Sequence, residues 1–107
     1  MASRIFAVVL AAGSASRFGS TKQLADIDGS PMVRHVVHAA TRVCGHDTLV
    51  VTGHDRTAVA SACAGLPGFV TVNDASDRGI GSSIGHAARL LAPFASAILV
   101  LLADQRR

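Results

Sequence analysis

Four short apolar runs, "RIFAVVLAA", "DTLVVTG", "FVTVN" and "SAILVLLAD", alternate along the chain with three stretches of helical pattern. The first run is hydrophobic at every position from Ile5 to Ala12, the mark of a strand covered on both faces. "DGSPMVRHVVHAATRVCG" reads as a turn at Asp28 and Gly29, an N-cap at Ser30, Pro31 at the first helical position and a stop at Gly45. Its Met32, Val33, Val36, Val37 and Ala40 share one helical face. "DRTAVASACAGLPG" is a second helix, opened by an acidic residue and stopped by Gly65 and Pro67, and "SSIGHAARLLAPF" is a third. The order β-α-β-α-β-α-β predicts a Rossmann-like three-layer α/β/α fold, with a mostly parallel sheet, right-handed crossovers and helices on both faces. In the strand order 3-2-1-4 the chain reverses direction between the first and fourth strands, and ligands bind outside their carboxyl ends. Those ends carry Gly13 and Asp104.

At 107 residues the chain holds one domain, and with half its residues hydrophobic and 16% charged it is too apolar for disorder. The formal charge is +3 at pH 7, but the basic residues are scattered and Trp and Tyr are absent, so no nucleic-acid partner is expected. No apolar run approaches the ~18 residues of a membrane-spanning helix, so no membrane partner is expected either. Cys44 and Cys63 form no C-x-x-C pair and read as reduced, buried thiols of a cytoplasmic protein, although spacing leaves a disulfide between them open. An export leader competes for the N-terminus, because Arg4, a short apolar run and "SAS" imitate one. Cleavage there would remove the first strand and leave the loop behind it without purpose.

That loop, "GSASRFGSTK", carries Arg17 and Lys22, the one lysine of the chain. A glycine after a strand lets the backbone approach a ligand, and successive loop N–H groups can cradle phosphate oxygens beside the two cations. The spacing is not that of a Walker A loop, and Ala15 stands where a dinucleotide fingerprint needs its second glycine. Asp104 ends a very apolar strand, where a carboxylate must be paired, hydrogen-bonded or metal-bound. A hard oxygen ligand beside a phosphate site suits Mg²⁺; the alternative is a cap on the following segment. "NDASDRGIGSSI" offers Asn73, whose amide can read a base or ribose edge, with Ser82 and Ser83 either donating to a ligand or capping the helix. His35 and His38 lie three apart on the first helix without an acidic or thiolate companion and read as a solvated face.

"LAAGSASRFGSTK" resembles the L-A-A-G-x-S-x-R-[MF]-G-x-x-K signature of the MobA-like nucleotidyltransferases, above all the molybdenum cofactor cytidylyltransferase branch. "VLLADQ" is similar to that family's D-Q-P strand end, and "VNDASDRGIGSSI" to its N-P-D-W-x-x-G-M-x-S-S-[LI] segment. The resemblance implies Mg²⁺-dependent transfer of a nucleotidyl group from CTP or GTP to a phosphorylated pterin, releasing pyrophosphate. It implies that Leu10, Ala11, Ala12, Gly13 and Ser14 hold the nucleotide, that Arg17 and Lys22 neutralise the triphosphate, and that Asp104 binds Mg²⁺. Asn73, Ser82 and Ser83 would border the nucleotide. The guanine-using branch reads L-A-G-G where this chain has Ala12, which favours CTP.

Ala75 and Ser76 stand where the family has Asp and Trp, and Arg106 where it has Pro. Family members continue for about as long again, so residues 1–107 are expected to be the N-terminal nucleotide-binding part of such a transferase domain. Two alternatives follow: a nucleotide-binding fragment without turnover, and a cytidylyltransferase of sugar or isoprenoid precursors, which share a related loop and "KQ" after it. In the order 3-2-1-4 the strand "AILVLLA" becomes an exposed edge, so self-association is expected.

Overall fold

The computed structural model describes residues 4–11, 26–27, 30–53, 56–75 and 78–103. The elements in chain order are β1 (Ile5–Ala11), β2 (Asp26–Ile27), β3 (Ser30–Pro31), α1 (Met32–Cys44), β4 (Thr48–Thr52), α2 (Arg56–Ala62), β5 (Phe69–Val72), α3 (Ile80–Leu91) and β6 (Ala97–Leu102). Four of these strands form one parallel sheet in the order β5-β4-β1-β6, which is the expected 3-2-1-4. The central strand β1 pairs Val9 with Val50 on one side and with Leu101 on the other.

Alternation along β1 divides the core in two. Ala7, Val9 and Ala11 point to one face, where they pack with Val33, Val37 and Ala40 of α1 and Val59 of α2. Phe6, Val8 and Leu10 point to the other, against Ala87 and Leu91 of α3. Each fully buried valine or leucine contributes about 1.5–3 kcal/mol relative to exposure. Both faces of β1 are therefore committed to packing, and only its ends are available for chemistry.

The connections follow local chemistry. Gly45 takes a left-handed conformation, φ 57°, and donates to the Thr41 carbonyl at 2.8 Å, ending α1 where the sequence predicts. The start of α1 differs from expectation. Ser30 and Pro31 form β3, paired antiparallel with β2, and the helix begins at Met32. Proline's fixed φ suits an extended residue before a helix as well as a first helical residue, so the local strand pairing decides the matter. The expected turn residues Asp28 and Gly29 lie outside the described residues, as does Asp55 before α2. Arg34 of α1 donates through Nη1 to the Ala62 and Ala64 carbonyls, at 3.0 and 2.8 Å, satisfying acceptors at the carboxyl end of α2.

At the amino end of the sheet, Arg4 grips Asp47 with two parallel bonds of 2.9 Å, from Nε and Nη2, and its guanidinium lies 4.9 Å from the centre of the Phe6 ring. The guanidinium hydrogen bond holds the Asp47 carboxyl below its ordinary pKa. Cys44 and Cys63 are both free thiols. Among the described residues no helix is long and apolar enough to cross a membrane.

Candidate functional site

The carboxyl ends of β1 and β6 meet at a backbone joint. Leu10 pairs with Leu102 in the register, and the Ala103 N–H donates to the Leu10 carbonyl at 3.1 Å. Leu10, Ala11 and Ala103 are almost fully buried, so none of their side chains stands out from this part of the strand ends. The glycine loop begins two residues after Ala11, and Asp104 is the next residue after Ala103. Ala12, Gly13, Ser14, Arg17, Lys22 and Asp104 lie outside the described residues.

The neighbouring strand ends are joined in the same way. Ala11 pairs with Thr52 at the end of β4, and the Asn73 N–H, just beyond β5, donates to the Thr52 carbonyl at 2.7 Å. Thr52 itself is fully buried and donates its hydroxyl to the Thr71 carbonyl at 2.9 Å. Thr71 in turn shares a 3.1 Å hydrogen bond with His86 Nε2 of α3, although nothing in the sequence connects these two residues.

Asn73, Ser82 and Ser83, predicted as one group, are brought together. Asn73 Nδ2 donates to Ser82 Oγ at 3.0 Å and to Ser83 Oγ at 3.1 Å, and its Oδ1 accepts the Ala75 N–H at 3.1 Å. Ser82 Oγ donates onward to the Ala75 carbonyl at 3.0 Å. The two serines do not cap the helix. α3 starts at Ile80, two residues ahead of the predicted start, and its N-cap is Gly79, at φ 106° and without a side-chain cap bond. The glycine takes a backbone conformation that a serine would adopt only under strain, which leaves both hydroxyls inside the first turn and facing Asn73. Ala75 is the member of this group that the sequence reading missed. The signal for it was the Asn-x-Ala spacing, since an asparagine commonly bonds the backbone two residues on.

The family model for the MobA-like NTP transferase domain matches residues 7–106. The chain belongs to that family. Among curated relatives, the bifunctional protein GlmU of Rhodospirillum rubrum is 38% identical over 100 residues, covering 92% of this chain and 22% of that protein. The 3-deoxy-manno-octulosonate cytidylyltransferase of an Anaeromyxobacter species is 33% identical over 105 residues, covering 95% of this chain and 41% of the relative. Among solved structures, Rv0371c of Mycobacterium tuberculosis H37Rv superposes with a TM-score of 0.81 at 28% identity, covering 98% of this chain and 53% of the other. The chain therefore spans about a fifth to a half of the length of these relatives.

Proposed function

We propose that this domain is the nucleotide-binding part of a nucleotidyltransferase that moves a nucleotidyl group, CMP in preference to GMP, from the triphosphate to a phosphorylated pterin. The observation that supports the reading is the joint between Ala103 and Leu10. It brings together the two strand ends that lead into the glycine loop and into Asp104, at the point where an open α/β sheet binds its ligands.

In this reading the backbone from Leu10 to Ser14 holds base and ribose, and Asn73, Ser82 and Ser83 border them. Arg17 and Lys22 lie along the triphosphate. An oxygen of the acceptor phosphate bonds to the α-phosphorus, the bond from that phosphorus to the bridging oxygen breaks, and pyrophosphate leaves with the electron pair. Arg17 and Lys22 stabilise the charge that grows on it, which is electrostatic rather than covalent catalysis. The donor chemistry of Asp104, a hard carboxylate oxygen following the apolar end of β6, fits Mg²⁺. When bound, that ion supplies further neutralisation of phosphate charge.

A second reading has its own support. The 3-deoxy-manno-octulosonate cytidylyltransferase relative aligns with nearly the whole chain, which favours a sugar acid as the acceptor and leaves the nucleotide unchanged.

Isothermal titration of the 107-residue chain with CTP and with GTP in Mg²⁺ tests the site. CTP is expected to bind more tightly, and Lys22→Ala and Asp104→Ala each to weaken it about tenfold or more, the worth of a charge-assisted contact. A folded chain that binds neither nucleotide would sink the proposal. Transfer of label from CTP to a pterin phosphate or to a sugar acid, with a family C-terminal half supplied, separates the two acceptors.

A further inference from the structure

An asparagine that reads a nucleotide edge must keep its amide N–H or its carbonyl oxygen available to the ligand. Asn73 keeps neither N–H. The residue is 5% exposed, and both Nδ2 hydrogens are spent, one on Ser82 Oγ and one on Ser83 Oγ. Its Oδ1 accepts the Ala75 N–H, while the Ala75 carbonyl accepts from Ser82 Oγ. Three groups thus close a ring: the Asn73 carboxamide, the Ala75 main chain with its N–H and its carbonyl, and the Ser82 hydroxyl. The Asn73 main-chain N–H is bonded to the Thr52 carbonyl, so the ring is anchored to the end of β4.

We infer that Asn73 is a positioning residue and not a nucleotide contact: its carboxamide fastens the turn at Ala75 to the first turn of α3 and so fixes one wall of the crevice. The inference rests on the reading of that crevice as a nucleotide site. Opening the ring leaves buried donors and acceptors unpaired, which is costly enough to let the wall relax. The Asn73 carboxamide cannot donate to a ligand without giving up its bond to one of the serines, and its Oδ1, already accepting from Ala75, belongs to a residue only 5% exposed.

Two measurements test this. In ¹H–¹⁵N spectra of the isotopically labelled chain, the Asn73 side-chain amide protons are expected to be protected from solvent exchange, and to lose that protection in Ser82→Ala and in Ser83→Ala. This arm needs no nucleotide, and unchanged protection in both variants overturns the clamp. Titration with CTP and with GTP is the second arm, carried out on variants shown to be folded by circular dichroism. Asn73→Ala is expected to weaken both nucleotides by the same factor, about tenfold. The combined Asn73→Ala, Ser82→Ala, Ser83→Ala variant is expected to bind no more weakly than the worst single change, because the three groups act as a unit. A change in the ratio of CTP to GTP affinity in Asn73→Ala, or additive losses, would mark a direct contact and overturn the inference. Undiminished binding in a folded Asn73→Ala chain would reduce the clamp to a structural role and overturn it equally. A wild-type chain that binds neither nucleotide would instead defeat the nucleotide reading itself, and the exchange measurement still decides the clamp.

Discussion

The Ala103 N–H donates to the Leu10 carbonyl across 3.1 Å, joining two strands that lie 93 positions apart at the one point in the sheet where the chain changes direction. Sheet order rather than sequence proximity makes them neighbours. A crevice outside the two strand ends therefore depends on both core layers, because β1 is held from one face by α1 and from the other by α3. Disturbing either layer should be felt at the joint.

Two layers separated by a central strand make a specific statement about additivity. Val9 and Val37 are fully buried in the layer with α1, and Val51 is fully buried in the layer with α3. Each valine-to-alanine change should cost about 2 kcal/mol, from lost burial and the cavity left behind. Val9→Ala with Val37→Ala shares one layer and should deviate from the sum by about 0.5 kcal/mol or more, whereas Val37→Ala with Val51→Ala should add. Urea denaturation of the two double variants checks this, and identical behaviour of the pairs would contradict the layered core.

Much of this architecture is legible in the chain. The four apolar runs, with helical patterns between them, are enough for a parallel sheet, because parallel strands need crossovers, and the order 3-2-1-4 is the usual doubly wound arrangement of such a pattern. Asn73, Ser82 and Ser83 are legible as a group, yet their use is not. The residue types that suit a ligand are the same ones that suit a turn, and only in the folded chain do the hydrogen bonds close on Ala75. The start of α3 is misjudged for a related reason: serines are good caps, but Gly79 at φ 106° takes the cap position and places them within the helix. The Thr71 and His86 contact has no sequence pattern at all, since it joins the middle of a strand to the middle of a helix across the sheet edge.

Acid should expose the contribution of Asp47. Its carboxyl is held below its ordinary pKa, chiefly by the hydrogen bond from Arg4, so the folded state binds a proton less readily than the unfolded one. The resulting stability is fully present above the unfolded value of about 4, and is lost as the pH falls through the lower folded value. Asp47→Asn lacks it at every pH. The difference in urea midpoint between the wild type and Asp47→Asn should shrink as the pH is lowered through the carboxylate range. A difference that stays constant from pH 7 to below the folded value would rule out this linkage. The effect should be small, because the pair faces solvent and is open to screening.

The two thiols should differ in reactivity. Burial pushes the Cys63 thiol above its ordinary pKa, against a weaker opposing pull from Arg34, and the residue is almost fully enclosed. Cys44 is only half-buried at the end of α1. Since the thiolate is the reacting species, iodoacetamide at pH 8 should label Cys44 well before Cys63 in the folded chain. Peptide mass spectrometry over a time course distinguishes them. Equal labelling rates under native conditions would contradict the enclosure of Cys63, whereas equal rates in urea are expected.

Among the described residues the sheet also ends on a strand that carries no device to keep other chains away. Among the described residues β6 pairs only with β1, and it contains no charge and no proline along "AILVLL". Leu99 and Val100 point to opposite faces of the sheet, as their partners Ala7 and Val8 do, and are 47% and 39% exposed. Apolar surface on both faces, next to an edge to which the described residues add no further strand, is the arrangement that edge strands normally avoid with a lysine, a proline or a bulge. The 107-residue chain should therefore associate with itself as its concentration rises. Leu99→Lys should reduce that association, because a lysine at a half-exposed position can lay its stem along the sheet and leave its charge in water. Size-exclusion chromatography with light scattering over a concentration series reads the outcome. A wild-type chain that stays monomeric at the highest concentration would show that this edge is already protected. Association that persists unchanged in Leu99→Lys would place the contact elsewhere on the molecule.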